Sequence, residues 1–403
     1  MSSCAKCGAC STVCPVFRSS GRESHTARGK LHLLEVLGLG ESSSRFVDIF
    51  SACLLCGACS AVCPRGIDVC AEITAARKSF SLLAGPHAYE KYLSRKLLDS
   101  PGTLRALGIL GRSGQKLLAG RLPADSGLRL RLAMFAEDDG VATVADNSSF
   151  AQGGIEPLAW FPGCTSRYLF PEILASCRSL LAETAPSVQI PAGLACCGLA
   201  HRAAGDLQKA VDCGRRNIEA LEAAEGLIVV SCASCYAHLK HYPDLFPPES
   251  RWHRRAEQMA ERLVEFSDFL ESRRRADTFA GKTRKGKLRV FYHDPCHMRY
   301  GDIAADKARQ LLQKAGNIEV VELADGPRCC GQGGLFHLAH PDIAASIRDQ
   351  LVEEVLALQP DLVTSTCSGC LMQWKQGVAA AGSRVRVLHL GQLLDENRIR
   401  EGE

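Results

Sequence analysis

Two cysteine runs at the start of the chain have the residue type and spacing of a metal centre. The first, CAKCGACSTVCP, covers residues 4–15, and the second, CLLCGACSAVCP, covers residues 53–64. Both follow the pattern C-x2-C-x2-C-x3-C-P, and thiolates so closely spaced can surround a cluster of iron and sulfide. A tetrahedral zinc site would instead favour two separated CxxC pairs. The runs therefore predict two [4Fe–4S] clusters in preference to structural zinc.

In the bacterial ferredoxin pattern, three cysteines of a run hold one cluster and the fourth serves the other cluster. We accordingly expect one cluster to be held by Cys4, Cys7, Cys10 and Cys63. The second would be held by Cys53, Cys56, Cys59 and Cys14. Gly8 and Gly57 occupy matching places in the two runs. A glycine there lets the backbone approach and aim N–H groups at sulfur, which tunes the reduction potential.

Ten more cysteines form a second pattern that occurs twice, as a single cysteine, a CCG tripeptide and a CxxC pair. The first copy contains Cys164, Cys196, Cys197, Cys232 and Cys235, and the second contains Cys296, Cys329, Cys330, Cys367 and Cys370. The gaps are 31 and 34 residues in the first copy and 32 and 36 in the second, which indicates an internal duplication. A thioredoxin-like pair or buried thiols would not explain five cysteines in the same order. We expect a metal site in each copy.

The cysteines of the second pattern follow segments with the composition of strands. In the second copy, LRVFY, IEVVEL and DLVTS alternate with two amphipathic helices, AADKARQLLQKAG and DIAASIRDQLVEEVLAL. Such alternation predicts a parallel sheet with helices packed outside it. Because ligands of open α/β sheets gather beyond the carboxyl ends of the strands, each copy should bring its five thiols to one sheet edge.

Three cysteines, Cys70, Cys177 and Cys213, fit neither pattern, and we interpret them as ordinary buried thiols. Several groups that could tune a cluster or relay protons lie near the paired cysteines. They are His201, His293, Asp294, His297, His337 and His340. Because thiolates alone suffice, none of these is predicted to be a ligand, and no catalytic residue is assigned.

The predicted fold is multidomain, with an N-terminal α-helical ferredoxin domain followed by a duplicated α/β domain with parallel sheets. The expected boundaries are 1–85 for the ferredoxin domain, 86–155 for a helical spacer and loop, 156–245 for the first copy, 246–286 for a helical insert and 287–396 for the second copy. Helices are expected in ARGKLHLLEVLGLG, RFVDIFSAC and VCAEITAARKSFSLLA of the first domain. The segment 251–287 is expected to be one amphipathic helix with a basic tail that spans the two copies.

The spacer is basic, with nine Lys or Arg residues between positions 91 and 131. Its glycines predict short helices that break at each glycine, and residues 138–154 should form an exposed loop. A solvated linker is therefore favoured over a docking surface for an acidic partner or a membrane face.

Composition limits the other possibilities. The 403 residues are 46% hydrophobic with a net charge of +4, which suits a globular protein and gives no sign of a nucleic-acid surface. No apolar stretch approaches the ~18 residues of a membrane span, and the N-terminus lacks a signal pattern. We expect a cytoplasmic protein, with peripheral attachment to the inner membrane face as an alternative.

The duplicated pattern resembles the CCG domain, the cysteine-rich domain of the heterodisulfide reductase catalytic subunit. This resemblance implies a noncubane [4Fe–4S] cluster, held by five cysteines, in one or both copies. The whole domain order is similar to the iron–sulfur subunits of glycolate oxidase, of flavin-dependent D-lactate dehydrogenases and of anaerobic glycerol-3-phosphate dehydrogenase. The segments ARGKLHLLE, CCGQGGLFHLAHPDIAASI and TCSGCLMQW resemble the glycolate and lactate group.

The resemblance implies an electron-transfer subunit. It would take electrons from a flavoprotein partner, which carries the FAD, and pass them toward quinone or another carrier. The chain has neither a GxGxxG after a strand nor a GxxxxGK[ST] motif, so we expect no hydroxy-acid oxidation without that partner. Two alternatives are a thiol/disulfide reductase related to heterodisulfide reductase and the equivalent subunit of anaerobic glycerol-3-phosphate dehydrogenase.

Overall fold

The computed structural model describes residues 4–38, 40, 43–123, 126–135, 156–185, 187–273, 287–301 and 306–397. Its N-terminal part is helical, as predicted. The helices are α1 (Ala9–Val13), α2 (Pro15–Ser20), α3 (Ala27–Leu37), α4 (Ser44–Ser51), α5 (Ala58–Ala61) and α6 (Val69–Lys78), with a 3-10 turn at Glu23–His25. Helices α3, α4 and α6 are the three indicated by periodicity, whereas α1 and α5 are single turns inside the cysteine runs.

Helix α3 illustrates how local sequence sets the position of the first domain's core. Thr26 precedes the helix, and its side-chain oxygen accepts a hydrogen bond from the Gly29 N–H at 3.0 Å, which satisfies one of the free donors of the first turn. The apolar faces of α3, α4 and α6 then meet in a small core whose buried members include Leu34, Phe46, Phe50 and Ile73. This core holds the two cysteine runs side by side.

The spacer contains α7 (Ala88–Leu98), α8 (Pro101–Leu118) and α9 (Gly127–Ala133). The prediction that glycines would break it into short helices is wrong for α8, which continues for 18 residues. Gly108 lies against the backbone of Tyr168, and Gly111 lies against the ring of Phe135. These glycines let α8 pack closely, so they do not end it. The predicted loop at 138–154 lies outside the described residues.

The first copy of the duplicated domain is a four-stranded parallel sheet. Its strands are β1 (Leu158–Phe161), β2 (Val188–Gln189), β3 (Leu227–Val230) and β4 (Leu263–Glu265), in the order β2-β1-β3-β4. Its helices are α10 (Cys164–Tyr168), α11 (Pro171–Ala182), α12 (Leu199–Ala203), α13 (Leu207–Glu222), α14 (Ala233–Lys240), α15 (Arg251–Glu261) and α16 (Phe266–Arg273), with a 3-10 turn at Pro243–Leu245.

The second copy repeats this topology. Strands β5 (Leu288–Tyr292), β6 (Ile318–Val321), β7 (Leu362–Ser365) and β8 (Arg386–His389) form a parallel sheet in the order β6-β5-β7-β8. The helices are α17 (Cys296–Arg299), α18 (Lys307–Lys314), α19 (Phe336–Ala339), α20 (Pro341–Ala357), α21 (Ser368–Ala380) and α22 (Leu390–Asn397). The prediction of two parallel α/β units is confirmed, and each sheet has one strand more than predicted.

The segment 251–287 differs from its prediction of one amphipathic helix. Helix α15 ends at Glu261, and the chain then enters β4, where Leu263 pairs with Ile228 and Glu265 pairs with Val230 of β3. Sheet pairing therefore interrupts the helical pattern before α16 begins. Residues 274–286, which include most of the basic tail, lie outside the described residues.

The two copies share one hydrophobic core. Helix α22 of the second copy packs on α11 of the first, and Gly391 permits the approach because a Cβ there would lie 2.6 Å from the Cys177 Sγ. Cys177 and Cys213 are buried, as predicted, whereas Cys70 is only partly buried. Among the described residues, no helix has both the length and the apolar composition needed to cross a bilayer.

Candidate metal centres

The first ferredoxin site is a small cavity at the N-terminal run. Its lining includes all four cysteines predicted for the first cluster: Cys4, Cys7, Cys10 and Cys63. Cys59 and Arg28 also line it. Gly8 lies at the start of α1 with φ 85°, a left-handed conformation that glycine adopts without a steric penalty. The structure thus brings the three leading thiols of one run together with the last thiol of the other.

The second ferredoxin site has the reciprocal arrangement. Its cavity is lined by Cys53, Cys56, Cys59 and Cys14, together with Cys70 and Lys30. Burial raises the pKa of Cys14, and it raises the pKa of Cys70 to about 12. Each cavity is therefore lined by the four thiols of the crossed grouping expected from the spacing, together with one further thiol, and ligation itself stays a prediction. Cys70 is a neighbouring thiol that the spacing did not indicate.

Two buried cations adjoin the second site. Lys30 is 1% exposed, and its Nζ donates to the carbonyl oxygens of His25 at 2.5 Å and Ala52 at 3.1 Å. Arg77, 9% exposed, donates to four carbonyl oxygens, those of Phe50, Ser51, Cys53 and Ala203. Within the described part of the chain, neither cation has a carboxylate at ion-pair distance.

These cations test whether the cavity suits an iron–sulfur cluster. Burying a cation without a counter-ion is costly, so an anionic occupant should fill the neighbouring space. A cluster held by four thiolates carries net negative charge, and the lining supplies those thiols. The residues present therefore fit the cluster. The sequence contained a signal for this feature, because Lys30 lies on the same face of α3 as the buried Ala27 and Leu34.

In the first cysteine-rich copy, all five predicted thiols meet beyond the carboxyl ends of the strands. Cys164 begins α10, and its Sγ lies 3.6 Å from the Cys196 Sγ. Hydrogen bonds from the thiols of Cys164 and Cys197 lower the pKa of Cys196. Cys232 precedes α14 and Cys235 lies in its first turn, a position that favours thiolates. The hydrogen bond between Cys235 and Cys232 lowers the pKa of Cys232.

The second copy has the same arrangement. Cys296 begins α17, and Cys367 and Cys370 lie at the start of α21. Hydrogen bonds from the thiols of Cys296 and Cys330 lower the pKa of Cys329, as in the matching position of the first copy. The same hydrogen bonds, followed by burial, raise the pKa of Cys296 and of Cys330. The thiols of the set are therefore not chemically uniform.

The histidines divide between the thiol sites and the surrounding structure. His293 lies beside the second thiol set, because its ring nitrogen is within 4.8 Å of the thiols of Cys330 and Cys370. Burial lowers the pKa of His293 to about 4. His201 lies 3.1 Å from an Asp99 carboxylate oxygen, and the two form a group with Cys213 in which the histidine and the cysteine are buried and Asp99 is partly exposed.

Three other side chains near the paired cysteines, His297, His337 and Asp294, make ordinary hydrogen bonds. His297 Nδ1 lies 3.0 Å from the Ser234 hydroxyl, and His337 Nδ1 lies 2.7 Å from the Gly334 carbonyl oxygen. Asp294 pairs with Arg309, whose Nη1 donates at 2.8 Å. These hydrogen bonds occupy polar atoms of His297, His337 and Asp294. None of the three side chains is needed as a cluster ligand.

The two cysteine-rich sites touch each other. The Ser234 hydroxyl of the first copy lies 3.1 Å from the Cys367 Sγ, and the Ser368 hydroxyl of the second copy lies 3.5 Å from the Cys232 Sγ. The Ala233 N–H also donates to the Thr366 carbonyl oxygen at 3.0 Å. Each CxxC segment therefore supplies a hydroxyl to a thiol of the other copy, a relation that sequence reasoning missed.

The second copy also touches the second ferredoxin site. Burial raises the pKa of Cys56, and the charge of the nearby Cys329 thiolate raises it further. Leu54 packs on Gly333, and the Ser51 hydroxyl lies 2.7 Å from His340 Nε2. Three thiol sites thus follow one another in space: the second ferredoxin site, the second copy and the first copy.

Comparison with known proteins agrees with this architecture. The family model described as "4Fe-4S dicluster domain" matches residues 1–67, and the one described as "Cysteine-rich domain" matches residues 158–240 and 290–375. "Probable glycolate oxidase iron-sulfur subunit" of Bacillus subtilis (strain 168) is 27% identical over 98% of this chain and 93% of that protein.

Two further curated proteins match part of the chain. "Lactate utilization protein A" of Oceanobacillus iheyensis is 30% identical over 59% of this chain and 96% of that protein. A fumarate reductase (CoM/CoB) subunit of Methanothermobacter marburgensis is 30% identical over 59% of this chain and 46% of that protein.

The fold, the thiol sets and these matches define an iron–sulfur protein in which a dicluster ferredoxin domain is joined to two cysteine-rich CCG domains. Within that class, the chain belongs to the family of the glycolate oxidase iron–sulfur subunit and lactate utilization protein A.

Proposed function

We propose that this protein is the iron–sulfur electron-transfer subunit of a flavin-dependent 2-hydroxyacid dehydrogenase acting on glycolate or D-lactate. The observation that carries the proposal is that the thiol sites adjoin one another: Cys56 and Cys329 line the same cavity, and the Cys367 Sγ lies 3.1 Å from the Ser234 hydroxyl. A protein that only needed clusters for stability would have no reason to place them in succession. The names of the relatives suggest the substrate class.

The chain's own residues contribute binding and spacing. The thiols of the two ferredoxin cavities would hold two [4Fe–4S] clusters, and the five thiols of one or both CCG copies would hold a noncubane [4Fe–4S] cluster. Bound clusters supply one-electron carriers. The buried interfaces around Leu54 and Ser234 keep the sites close together, and the Arg77 hydrogen bonds to the carbonyl oxygens of Phe50, Ser51 and Cys53 hold the turn that begins the second ferredoxin site.

A flavoprotein partner carrying FAD would supply the electrons, because the chain contains no dinucleotide-binding fingerprint. The electrons would pass to quinone or another carrier. Helix α8 offers a surface for peripheral attachment to the inner membrane face: Leu110 and Leu117 are exposed, and residues 101–123 contain four basic and no acidic residues. Co-sedimentation with anionic vesicles, compared with neutral vesicles, tests this attachment.

A second function, thiol/disulfide reduction at a CCG site, is favoured by two observations. Both copies retain all five cysteines, and a relative is named as a subunit of a fumarate reductase (CoM/CoB). We rank it below hydroxyacid oxidation because the match to the glycolate oxidase subunit covers 98% of the chain.

The deciding experiment is anaerobic affinity purification followed by flavin and iron analysis. We expect a flavoprotein to co-purify, and we expect glycolate or D-lactate to bleach the cluster absorbance of the complex but not of the isolated chain. Disulfide reduction by the isolated chain with artificial donors at enzymatic rates would instead support the second function. Zinc with little acid-labile sulfide would contradict both.

A further inference from the structure

The two ferredoxin sites have different charged surroundings, although their cysteine runs are nearly identical. Both sites receive a cation from the same turn of α3, in the segment ARGK at 27–30. Arg28 lines the first cavity and Lys30 lines the second. Arg28 and Lys30 are two positions apart on α3, so their side chains point toward different sites. A single helix therefore supplies one cation to each ferredoxin site.

At the first site Arg28 is paired and close to water, and the other arginine of the lining, Arg65, is exposed. The Arg28 Nε donates to a Glu23 carboxylate oxygen at 2.7 Å, and the two side chains are 34% and 50% exposed. Cys7 is also exposed. A carboxylate cancels much of the field of Arg28, and solvent screens what is left.

At the second site the cations are buried and bonded to carbonyl oxygens. Lys30 lines the cavity directly, while Arg77 donates to the carbonyl oxygen of Cys53 at 2.8 Å. No carboxylate within the described ranges pairs with either one. Their charge therefore acts on the thiol site in a medium of low effective dielectric, where it is weakly screened.

We propose that Lys30, assisted by Arg77, gives the second ferredoxin site the more positive reduction potential of the two, so that an electron entering the ferredoxin domain comes to rest beside the second CCG copy. The proposal rests on the electron-transfer function proposed above. In the step concerned, the first site loses one electron and the second gains it, and no bond forms or breaks.

The physical reason is the charge that reduction adds. An added electron makes a site more negative, and a nearby cation without a counter-ion stabilises that state. Burial acts in the opposite direction, because desolvation disfavours extra charge. If the Lys30 charge is removed while the site stays buried, desolvation of the added electron is no longer offset by a nearby cation. The reduction potential of this site should therefore fall.

The test is an anaerobic redox titration of the iron-loaded chain with chemical mediators, followed by electron paramagnetic resonance. We expect two ferredoxin potentials in the parent protein. Cys14→Ser and Cys63→Ser assign them, since each should perturb a different site. Lys30→Met should shift the more positive potential in the negative direction and leave the other in place, whereas Lys30→Arg should retain it. Arg28→Met is the matched control and should affect only the first site, by a smaller shift.

Two results would overturn the proposal. One is a parent protein in which the second site has an equal or more negative potential than the first. The other is a Lys30→Met protein with full iron content and unchanged potentials. If Lys30→Met loses iron, the parent titration and Lys30→Arg still decide the order of potentials. Because mediators replace the flavoprotein, absence of a co-purifying partner would contradict the proposed function without affecting this result.

Discussion

The two CCG copies contain the same five thiols in the same order, but they have different neighbours. The second copy faces the ferredoxin domain, where Leu54 and Cys56 lie against it. The first copy also touches that domain, through the hydrogen bond from Arg77 to the Ala203 carbonyl oxygen, but its thiol segment has internal polar support: the Asn217 side chain donates to the Cys196 carbonyl oxygen at 3.0 Å, and the Tyr242 hydroxyl donates to that of Cys197 at 2.7 Å. Duplication preserved the thiol set while the surroundings diverged.

This difference indicates that position, more than thiol chemistry, separates the roles of the copies. The second copy lies between two other thiol sites and suits a relay. The first copy contacts the second through Ser234 and Ser368, so electrons from the ferredoxin domain should reach it last. If the two copies carried electrons independently, there would be no need for one of them to lie between the ferredoxin domain and the other.

The largest expected effect comes from removing matching thiols. Cys330→Ser should slow substrate-dependent reduction of the first copy by at least ~100-fold, because even changes outside the ligand shell of metal sites cost up to about 100-fold. Cys197→Ser should leave reduction of the second copy near the parental rate. Rapid-freeze electron paramagnetic resonance of the complete flavoprotein complex, with iron content measured for each variant, checks both. Equal effects of the two substitutions would show that the copies are not in series.

The next prediction concerns the contact between the ferredoxin domain and the second copy. Gly333 and Gly334 both have positive φ, 50° and 60°, so alanine at either should cost about 1–2 kcal/mol of stability from backbone strain. Only at Gly333 would the new Cβ meet Leu54 and Phe336, whereas at Gly334 it meets nothing within 4 Å. Overpacking should therefore add about 1–3 kcal/mol for Gly333→Ala.

Chemical denaturation of the two alanine variants measures this difference, and Gly334→Ala is the matched control. Gly333→Ala should also slow electron transfer into the second copy, while Gly334→Ala should not. Equal stability of the two variants would mean that the Leu54 contact does not hold the domains together.

Local spacing predicted the thiol groups, whereas long-range packing decided how those groups meet. The pattern of each run was enough to expect Cys14 beside Cys53, and the strand–helix alternation was enough to expect Cys164 beside Cys196. Nothing in the sequence places Cys56 and Cys329 at the same cavity, because that proximity depends on the docking of separate domains. The crossed hydroxyls of Ser234 and Ser368 depend in the same way on how the copies face each other.

The glycines of the spacer show the same limit of sequence-based prediction. A glycine that breaks a helix and a glycine that lets a helix pack closely have the same letter, and only the partner surface distinguishes them. Gly108 contacts the backbone of Tyr168, which is far along the chain, and Gly111 contacts the ring of Phe135, which lies beyond the end of the helix. The leucine-rich basic segment that contains the two glycines gives no sign of either partner.

A prediction on α8 tests whether its glycines are needed for close packing. Gly111→Ala should destabilise the protein by about 1–3 kcal/mol, because the new Cβ would enter the Phe135 ring. Gly102→Ala, in the first turn of the same helix and with nothing within 4 Å, should be neutral or stabilise by up to about 1 kcal/mol. Thermal denaturation of both variants gives the comparison. A stabilising Gly111→Ala would show that α8 does not pack closely against Phe135.

The smallest expected effect concerns the hydroxyls that join the copies. Ser234→Ala and Ser368→Ala should each cost about 0.5–1.5 kcal/mol, the usual net value of one hydrogen bond, and Ser113→Ala on the exposed face of α8 is the control. Ser234 belongs to the first copy but contacts Cys367 of the second. Its loss should therefore change the spectrum of the second copy, and loss of Ser368 should change that of the first. Spectral changes confined to the copy that carries the substitution would contradict the crossed contact, and the copies would then communicate by proximity alone.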